Sequence, residues 1–272
     1  MRITVEINDD ELRGIIAQEI SKQMTARVTE YFAIGAVHAV RIPVEKFRIV
    51  YFDKAKNSGY GDYFNLGFFG GGYKEGGIAF TLPAANLVCD IDVADFSSKP
   101  YWKYLVEPGR KVENGKLYFP AVANVGPEFK GKAVSTLCVY DDGRCAVEKL
   151  TTIMDKPGLA YAVSGVPLVV DGRDGKWAAE CQPEGWTAGA MYATWHTALA
   201  IKEPGYVYGL AFQTATSNML NSGGRSEIWE MLGSYGFKHV LKMDGGGSFK
   251  FKCGNVELGT TENRQISNIV QL

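Results

Sequence analysis

From Arg48 onward the chain is built of short runs rich in Val, Ile, Tyr and Phe, at residues 47–52, 79–82, 116–119, 135–140, 161–163, 168–170, 191–199 and 206–212. Runs of this length and composition, bounded by Gly, Asn and Asp, predict β-strands. Asn114-Gly115, Asp142-Gly143 and Asp171-Gly172 fall between them. Such pairs tolerate positive φ at both positions, which a tight hairpin requires. Two more strand-like stretches, 237–243 and 262–270, close the sequence.

Helical periodicity is confined to two places. Residues 1–7 alternate like a strand, after which Asn8 and Glu11 form a capping box and Leu12, Ile15, Ile16 and Ile20 mark one face of a helix to about Met24. Farther on, Ser226 is placed to cap a short helix over 227–232, with Gly236 past its end. The pattern predicts an α+β fold: a strand-rich core of mixed or antiparallel sheet with few helices, plus an N-terminal strand–helix extension. We place that extension at residues 1–45 and the main domain at 46–272. The apolar face of the N-terminal helix needs a partner, which is the main domain, a second copy in a homo-oligomer, or a larger assembly.

Composition narrows the function. The chain has 272 residues, 46% of them hydrophobic, which suffices for a substantial core. Lys and Arg number 29 against 30 Asp and Glu, so net charge is −1 and there is no electrostatic case for nucleic acid or a membrane surface. A small ligand is the better expectation. No apolar run reaches the roughly 20 residues of a membrane span. The charged N-terminus predicts no secretory leader, hence a cytoplasmic protein or part of a larger particle. Cys89, Cys138, Cys145, Cys181 and Cys253 are odd in number and mostly lie in apolar runs, which predicts buried thiols rather than a disulfide framework.

Several familiar chemistries fail on their own requirements. Residues 126–133, Gly-Pro-Glu-Phe-Lys-Gly-Lys-Ala, nearly spell a phosphate loop, but Ala133 replaces the magnesium-binding Ser or Thr and a strand is predicted next. His38, His196 and His239 have no zinc spacing, and there is no Gly-x-Ser-x-Gly elbow. What remains is Asp244-Gly245-Gly246-Gly247-Ser248 directly after a strand-like stretch. Glycines let backbone N–H groups approach a ligand, and the acid beside them can move a proton, bind a cation, or organise the turn by bonding its own backbone.

The order of segments around this motif resembles the phosphodiester glycosidase family. Asn65-Leu66-Gly67-Phe68-Phe69 is similar to its early Asn-x-Gly-Phe-Phe segment, and Ser164-Gly165-Val166-Pro167-Leu168-Val169-Val170-Asp171-Gly172 to its central one. The Asp-Gly-Gly-Gly-Ser turn and a terminal strand opening at Arg264 follow. Trp195-His196-Thr197-Ala198-Leu199-Ala200 occupies the place of Arg-Thr-Ala-x-Gly, so His196 stands for arginine and Ala200 for glycine.

The resemblance implies a hydrolase acting on a sugar phosphate or glycan phosphodiester. Asp244 would be the catalytic base, an electrostatic stabiliser or the holder of a divalent cation. Arg264 and the N–H groups of Gly245, Gly246, Gly247 and Ser248 would receive phosphate. Asn65, Phe68, Ser164, Gly165, His196 and Asn268 would complete the substrate site, and no organic cofactor is expected. Two other readings stay open: a binding protein of the same fold that sequesters a phosphorylated or nucleotide-like sugar, and a structural or host-recognition module.

Overall fold

The computed structural model describes residues 29–51, 61–67, 69–75, 78–83, 86–90, 111–119, 129–215, 222–260, 266 and 268–272. In chain order the strands begin with β1 (Glu30–Ile34), β2 (Val37–Pro43), β3 (Arg48–Tyr51), β4 (Tyr63–Asn65), β5 (Phe69–Glu75), β6 (Ile78–Pro83) and β7 (Leu87–Asp90). They continue as β8 (Lys111–Glu113), β9 (Lys116–Phe119), β10 (Val134–Tyr140), β11 (Cys145–Leu150), β12 (Leu159–Ser164), β13 (Val166–Val170) and β14 (Arg173–Asp174). Closing the chain are β15 (Trp195–Ile201), β16 (Tyr206–Gln213), helix α1 (Ser222–Gly233), β17 (His239–Gly245), β18 (Lys250–Cys253), β19 (Val256–Gly259) and β20 (Asn268–Gln271).

Two large sheets result. One has the order β1-β2-β16-β15-β17-β13-β14; the other runs β11-β10-β12-β7-β3-β20-β4-β18-β19, with the β8–β9 hairpin joined to β7. Among the described pairings all are antiparallel except β3 with β7. The protein is thus strand-rich α+β, as its pattern predicts. Two of the three expected turns carry positive φ at both positions: Asn114 and Gly115 take φ of 50° and 78° between β8 and β9, and Asp171 and Gly172 take 49° and 71° between β13 and β14, whereas in the Asp142-Gly143 pair only Gly143 does, at 82°. Val134–Tyr140 is a strand, so no helix follows the glycine-rich segment that imitates a phosphate loop.

Alternation along the strands of the first sheet sends residues into two cores. Val40 and Ile42, Leu199 and Ile201, and Leu241 and Met243 face the second sheet, where they meet Ile49, Phe64, Leu137, Val163 and Phe251. Ala39, Ala198, Ala200, Leu210 and Val240 face the other way, under Ile228 and Leu232 of α1 and under Trp186 and Met191. The segment carrying Trp186 is pinned by a buried acid, Glu184. Its carboxylate accepts from the backbone N and Oγ of Ser135 at 2.9 and 2.6 Å and from Trp186 Nε1 at 3.2 Å, and pairs with Lys149 Nζ at 3.3 Å.

Two boundaries differ from expectation, and the pairing of residues 30–43 adds to it. The strand expected over 191–199 begins only at Trp195, because Ala188–Met191 forms a 3-10 turn. Helix α1 begins earlier than Ser226, at Ser222, although Gly236 does adopt φ of 69° past its end. Residues 30–43, assigned on sequence to the N-terminal extension, form a hairpin whose second strand pairs with β16 in the first sheet. The strand and helix expected before residue 29 lie outside the described residues. Among the described residues no helix is long and apolar enough to cross a membrane, and all five cysteines are free thiols.

The sheets approach closely where Gly209 of β16 faces Phe64 of β4. A Cβ at Gly209 would lie 2.4 Å from Phe64 Cζ, and Phe64 is fully buried against Phe251, with ring centroids 6.1 Å apart. Gly209→Ala should therefore cost about 1–3 kcal/mol through overpacking, a fall in melting temperature of roughly 2–10 °C. Phe64→Leu in the same chain should recover part of that loss. A melting temperature unmoved by Gly209→Ala would contradict the face-to-face contact.

Candidate functional site

The chain crosses from one sheet to the other twice at the same corner. Gly165 links β12, in the second sheet, to β13, in the first; residues 246–249 link β17 back to β18. These crossings touch. A Cβ at Gly165 would fall 2.4 Å from Met243 Cε and 2.7 Å from the Lys242 carbonyl, so only glycine lets β13 leave beside β17.

Asp244 lies in a β-bulge. His196 pairs with Gly245 and Ala198 with Lys242, which leaves Thr197 opposite both Met243 and Asp244. An extra residue of this kind re-aims the side chain that follows it, and bulges recur beside active sites for that reason. Here Thr197 Oγ1 donates to the Asp244 carbonyl at 2.8 Å, and the Asp244 N–H donates to the Leu66 carbonyl at 2.8 Å. Asn65 completes the clamp. Its Nδ2 donates to the same Asp244 carbonyl at 2.8 Å while its Oδ1 accepts from Lys250 N at 2.9 Å, so one buried amide spans both ends of the glycine turn.

Two glycines of the turn have different reasons to be there. A Cβ on Gly245 would stand 2.3 Å from the Trp195 carbonyl. Gly246 adopts φ of 57°, in the left-handed region that side chains disfavour. Gly247 offers its carbonyl to Thr260 Oγ1 at 3.1 Å. Ser248 is buried, and its hydroxyl makes no hydrogen bond among the described residues. Asp244 Oδ1 accepts from Gly245 N at 2.9 Å, the turn-organising bond its sequence context suggests.

Behind Asp244, on the α1 side of the sheet, lies a charge that the sequence reading does not single out. Lys242 is 1% exposed, and its Nζ donates to the Met243 carbonyl at 3.0 Å. Burial pulls its pKa down to about 8, with nearby Asp244 acting in the opposite sense. The available signal was a lysine inside an otherwise apolar run, Val240-Leu241-Lys242-Met243.

His196 is equally enclosed at 0% exposure. Its Nε2 lies 3.1 Å from Thr214 Oγ1 and its ring packs on Phe212. Burial, then the neighbouring Lys242 charge, push its pKa down to about 2, so the imidazole is neutral at ordinary pH. An arginine stand-in would have to be a cation, and at this position the histidine is not one.

The remaining predicted residues distribute as follows. Ser164 Oγ shares a hydrogen bond with Thr136 Oγ1 at 2.8 Å, and Gly165 N donates to the Ser135 carbonyl at 3.2 Å, both at the crossing. Asn268 is buried and its Oδ1 accepts from Gly67 N at 2.6 Å, which ties the last strand to the Asn65 segment. Phe68 and Arg264 lie outside the described residues. Among the described residues no three His, Cys, Asp or Glu side chains converge to hold a metal ion.

No protein-family model matches the sequence, and no curated protein matches it at a significant level. Comparison with solved structures, however, finds a likeness of fold. The catalytic domain of zebrafish N-acetylglucosamine-1-phosphodiester alpha-N-acetylglucosaminidase, solved auto-inhibited by its pro-peptide, is similar with a TM-score of 0.52 at 14% identity, over 90% of this chain and 81% of that one. Looser matches are a hypothetical protein from Synechocystis (TM-score 0.43, 12% identity, 89% of this chain and 61% of that one) and a protein described as exported from Burkholderia pseudomallei (TM-score 0.35, 11% identity, 98% and 81%). At such identities the likeness is one of fold: a two-sheet architecture shared with a glycosidase catalytic domain.

The buried lysine makes a test of its own. A cationic group whose pKa falls on folding costs stability in full below its folded value, and the cost is relieved as pH rises toward the unfolded value. For Lys242 that window runs from about 8 to the ordinary 10.5. Lys242→Met removes the charge at similar volume. The stability difference, variant minus wild type, should shrink by about 3 kcal/mol between the two ends of that window. Denaturant unfolding of both proteins at pH 7.5 and 10.5 measures it; a constant difference would mean that Lys242 carries no burial penalty.

Proposed function

We propose that the protein is a glycosidase that hydrolyses the bond between a sugar's anomeric carbon and a phosphodiester. The observation that carries this reading is the Asp244 carboxylate at the head of a glycine turn clamped by Asn65 and Thr197, within a fold shared with the catalytic domain of an enzyme named for that bond. Rupture of the bond builds positive, oxocarbenium-like charge on the sugar and leaves an anionic phosphate. Phosphate is already a good leaving group, so help from a strong general acid matters less than in ordinary glycoside hydrolysis. One carboxylate near the anomeric carbon or the attacking water, with donors for phosphate, is a sufficient set of parts.

In this reading Asp244 supplies the carboxylate as base or electrostatic stabiliser, and Arg264 with the N–H groups of the turn supplies the phosphate donors. One observation favours a second reading. Where the family resemblance expects an arginine, His196 is neutral and buried, so an anionic ligand meets one cation fewer than the family pattern provides. A protein of this fold with that deficit would bind a sugar phosphate without turning it over.

Turnover of a sugar-1-phosphodiester separates the two. Asp244→Asn keeps a carbonyl oxygen for Gly245 N and should preserve the fold, while turnover falls at least about a hundredfold. Near wild-type activity in that variant would remove Asp244 from the chemistry, and saturable binding with no product from wild type would establish the sequestering protein. Arg264→Lys keeps charge but loses the planar fork, and should weaken affinity for the sugar phosphate about tenfold while that for the free sugar holds. Equal loss for both ligands would mark general disruption.

A further inference from the structure

A pocket of about 290 Å³ lies away from the glycine turn, between the 3-10 turn at Val44–Lys46, Arg48, Lys116 and the far ends of β10 and β12. The same two strands carry Ser135 and Ser164 at the crossing. At about 3.4 Å per residue the pocket is roughly 10–15 Å along them from that corner. No residue of the Asp244 site lines it.

Its lining is balanced in charge: Arg48 and Lys116 against Glu45 and Asp141. The two cations are positioned by one ring. Lys116 Nζ lies 4.7 Å and Arg48 Cζ 5.8 Å from the centroid of Tyr161, whose hydroxyl donates to Asp90. Lys116 also faces Asp141 at 3.9 Å. Between these groups the wall is aliphatic, from Val139 and Ala160.

Such a lining does not select a phosphate, because Glu45 and Asp141 would oppose a second negative charge. What it presents is two cationic donors and two anionic acceptors around an apolar wall. Adjacent hydroxyl groups on one ring are each donor and acceptor, and can serve an ammonium or guanidinium with one oxygen and a carboxylate with the next. The volume lies at the lower end of the ~300–1,000 Å³ common for small-molecule sites, which suits one ring rather than a chain of them.

We propose that this pocket is a second ligand site, for a neutral polyhydroxylated ring of monosaccharide size, separate from the Asp244 turn and independent of the reaction there. Its affinity for an isolated ring is modest, since its volume admits little more than one ring and two of its four charged groups, Arg48 and Asp141, are exposed.

Titration of the full chain, followed by backbone amide shifts, tests it with methyl α-glucopyranoside, methyl N-acetyl-α-glucosaminide and myo-inositol as probes, and with inorganic phosphate and glycine betaine as charged comparators. At least one neutral probe should saturate with a Kd of about 1 mM, or −4.1 kcal/mol, and shift the amides of 139–143 and 160–161. Lys116→Met and Asp141→Asn should each weaken it about tenfold; Asp244→Asn should leave it unchanged. Absence of saturation by every neutral probe up to about 100 mM, a hundredfold above that Kd, overturns the proposal. Preferential saturation by phosphate or betaine overturns it as well. Binding that survives both pocket variants but is lost with Asp244→Asn would place the sugar at the glycine turn instead.

Discussion

The Asn65 side chain is the constraint on which the corner depends. A single buried amide donates to the Asp244 carbonyl and accepts from Lys250 N, so it closes the glycine turn across its base from a strand far away in sequence. Without it, the Asp244 carbonyl would keep only Thr197 Oγ1 and Lys250 N would lose its side-chain acceptor, at about 1–3 kcal/mol for a backbone group left unsatisfied. Asn268 repeats the device one strand over by holding Gly67 N. Together they make the end of β4 a template against which the turn is set. The carboxylate of Asp244 is therefore presented from rigid backbone, which is what precise chemistry requires of a supporting shell.

The glycines follow from the same packing. Two chain crossings share one corner, where a Cβ on Gly165 would strike β17 and one on Gly245 would strike the Trp195 carbonyl of β15. Their role is close approach, whereas that of Gly246 is its positive φ. Glu184 acts at the same corner from the outside, because the Ser135 it binds also receives Gly165 N. Gly245 and Gly246 are thus explained by backbone geometry before any ligand is invoked.

Lys242 and His196 give the corner its electrostatic character. Both are buried on the α1 side of the sheet, both titrate below their ordinary range, and the Lys242 charge disfavours a second one on His196. Asp244 is the counter-charge within reach of the lysine. A buried ammonium costs stability unless paired, so the acid at the head of the turn has a structural partner as well as a proposed chemical task.

Local signals determined a good deal here. Strand-rich α+β architecture, the hairpin turns at Asn114-Gly115 and Asp171-Gly172, and the glycine after α1 were all legible, because each depends on residues adjacent in the chain. The motif around Asp244 was legible as a place of unusual backbone. What sequence could not determine was the division of strands between two sheets, which puts residues 30–43 into the main sheet, and the meeting of Asn65, Thr197 and Lys242 at one aspartate. Those contacts join residues up to 179 positions apart. Periodicity reports which face of a strand is apolar and is silent on which strand lies opposite. Only tertiary packing decided that Lys242 is buried and that His196 is uncharged, because desolvation is a property of the surroundings and not of the residue.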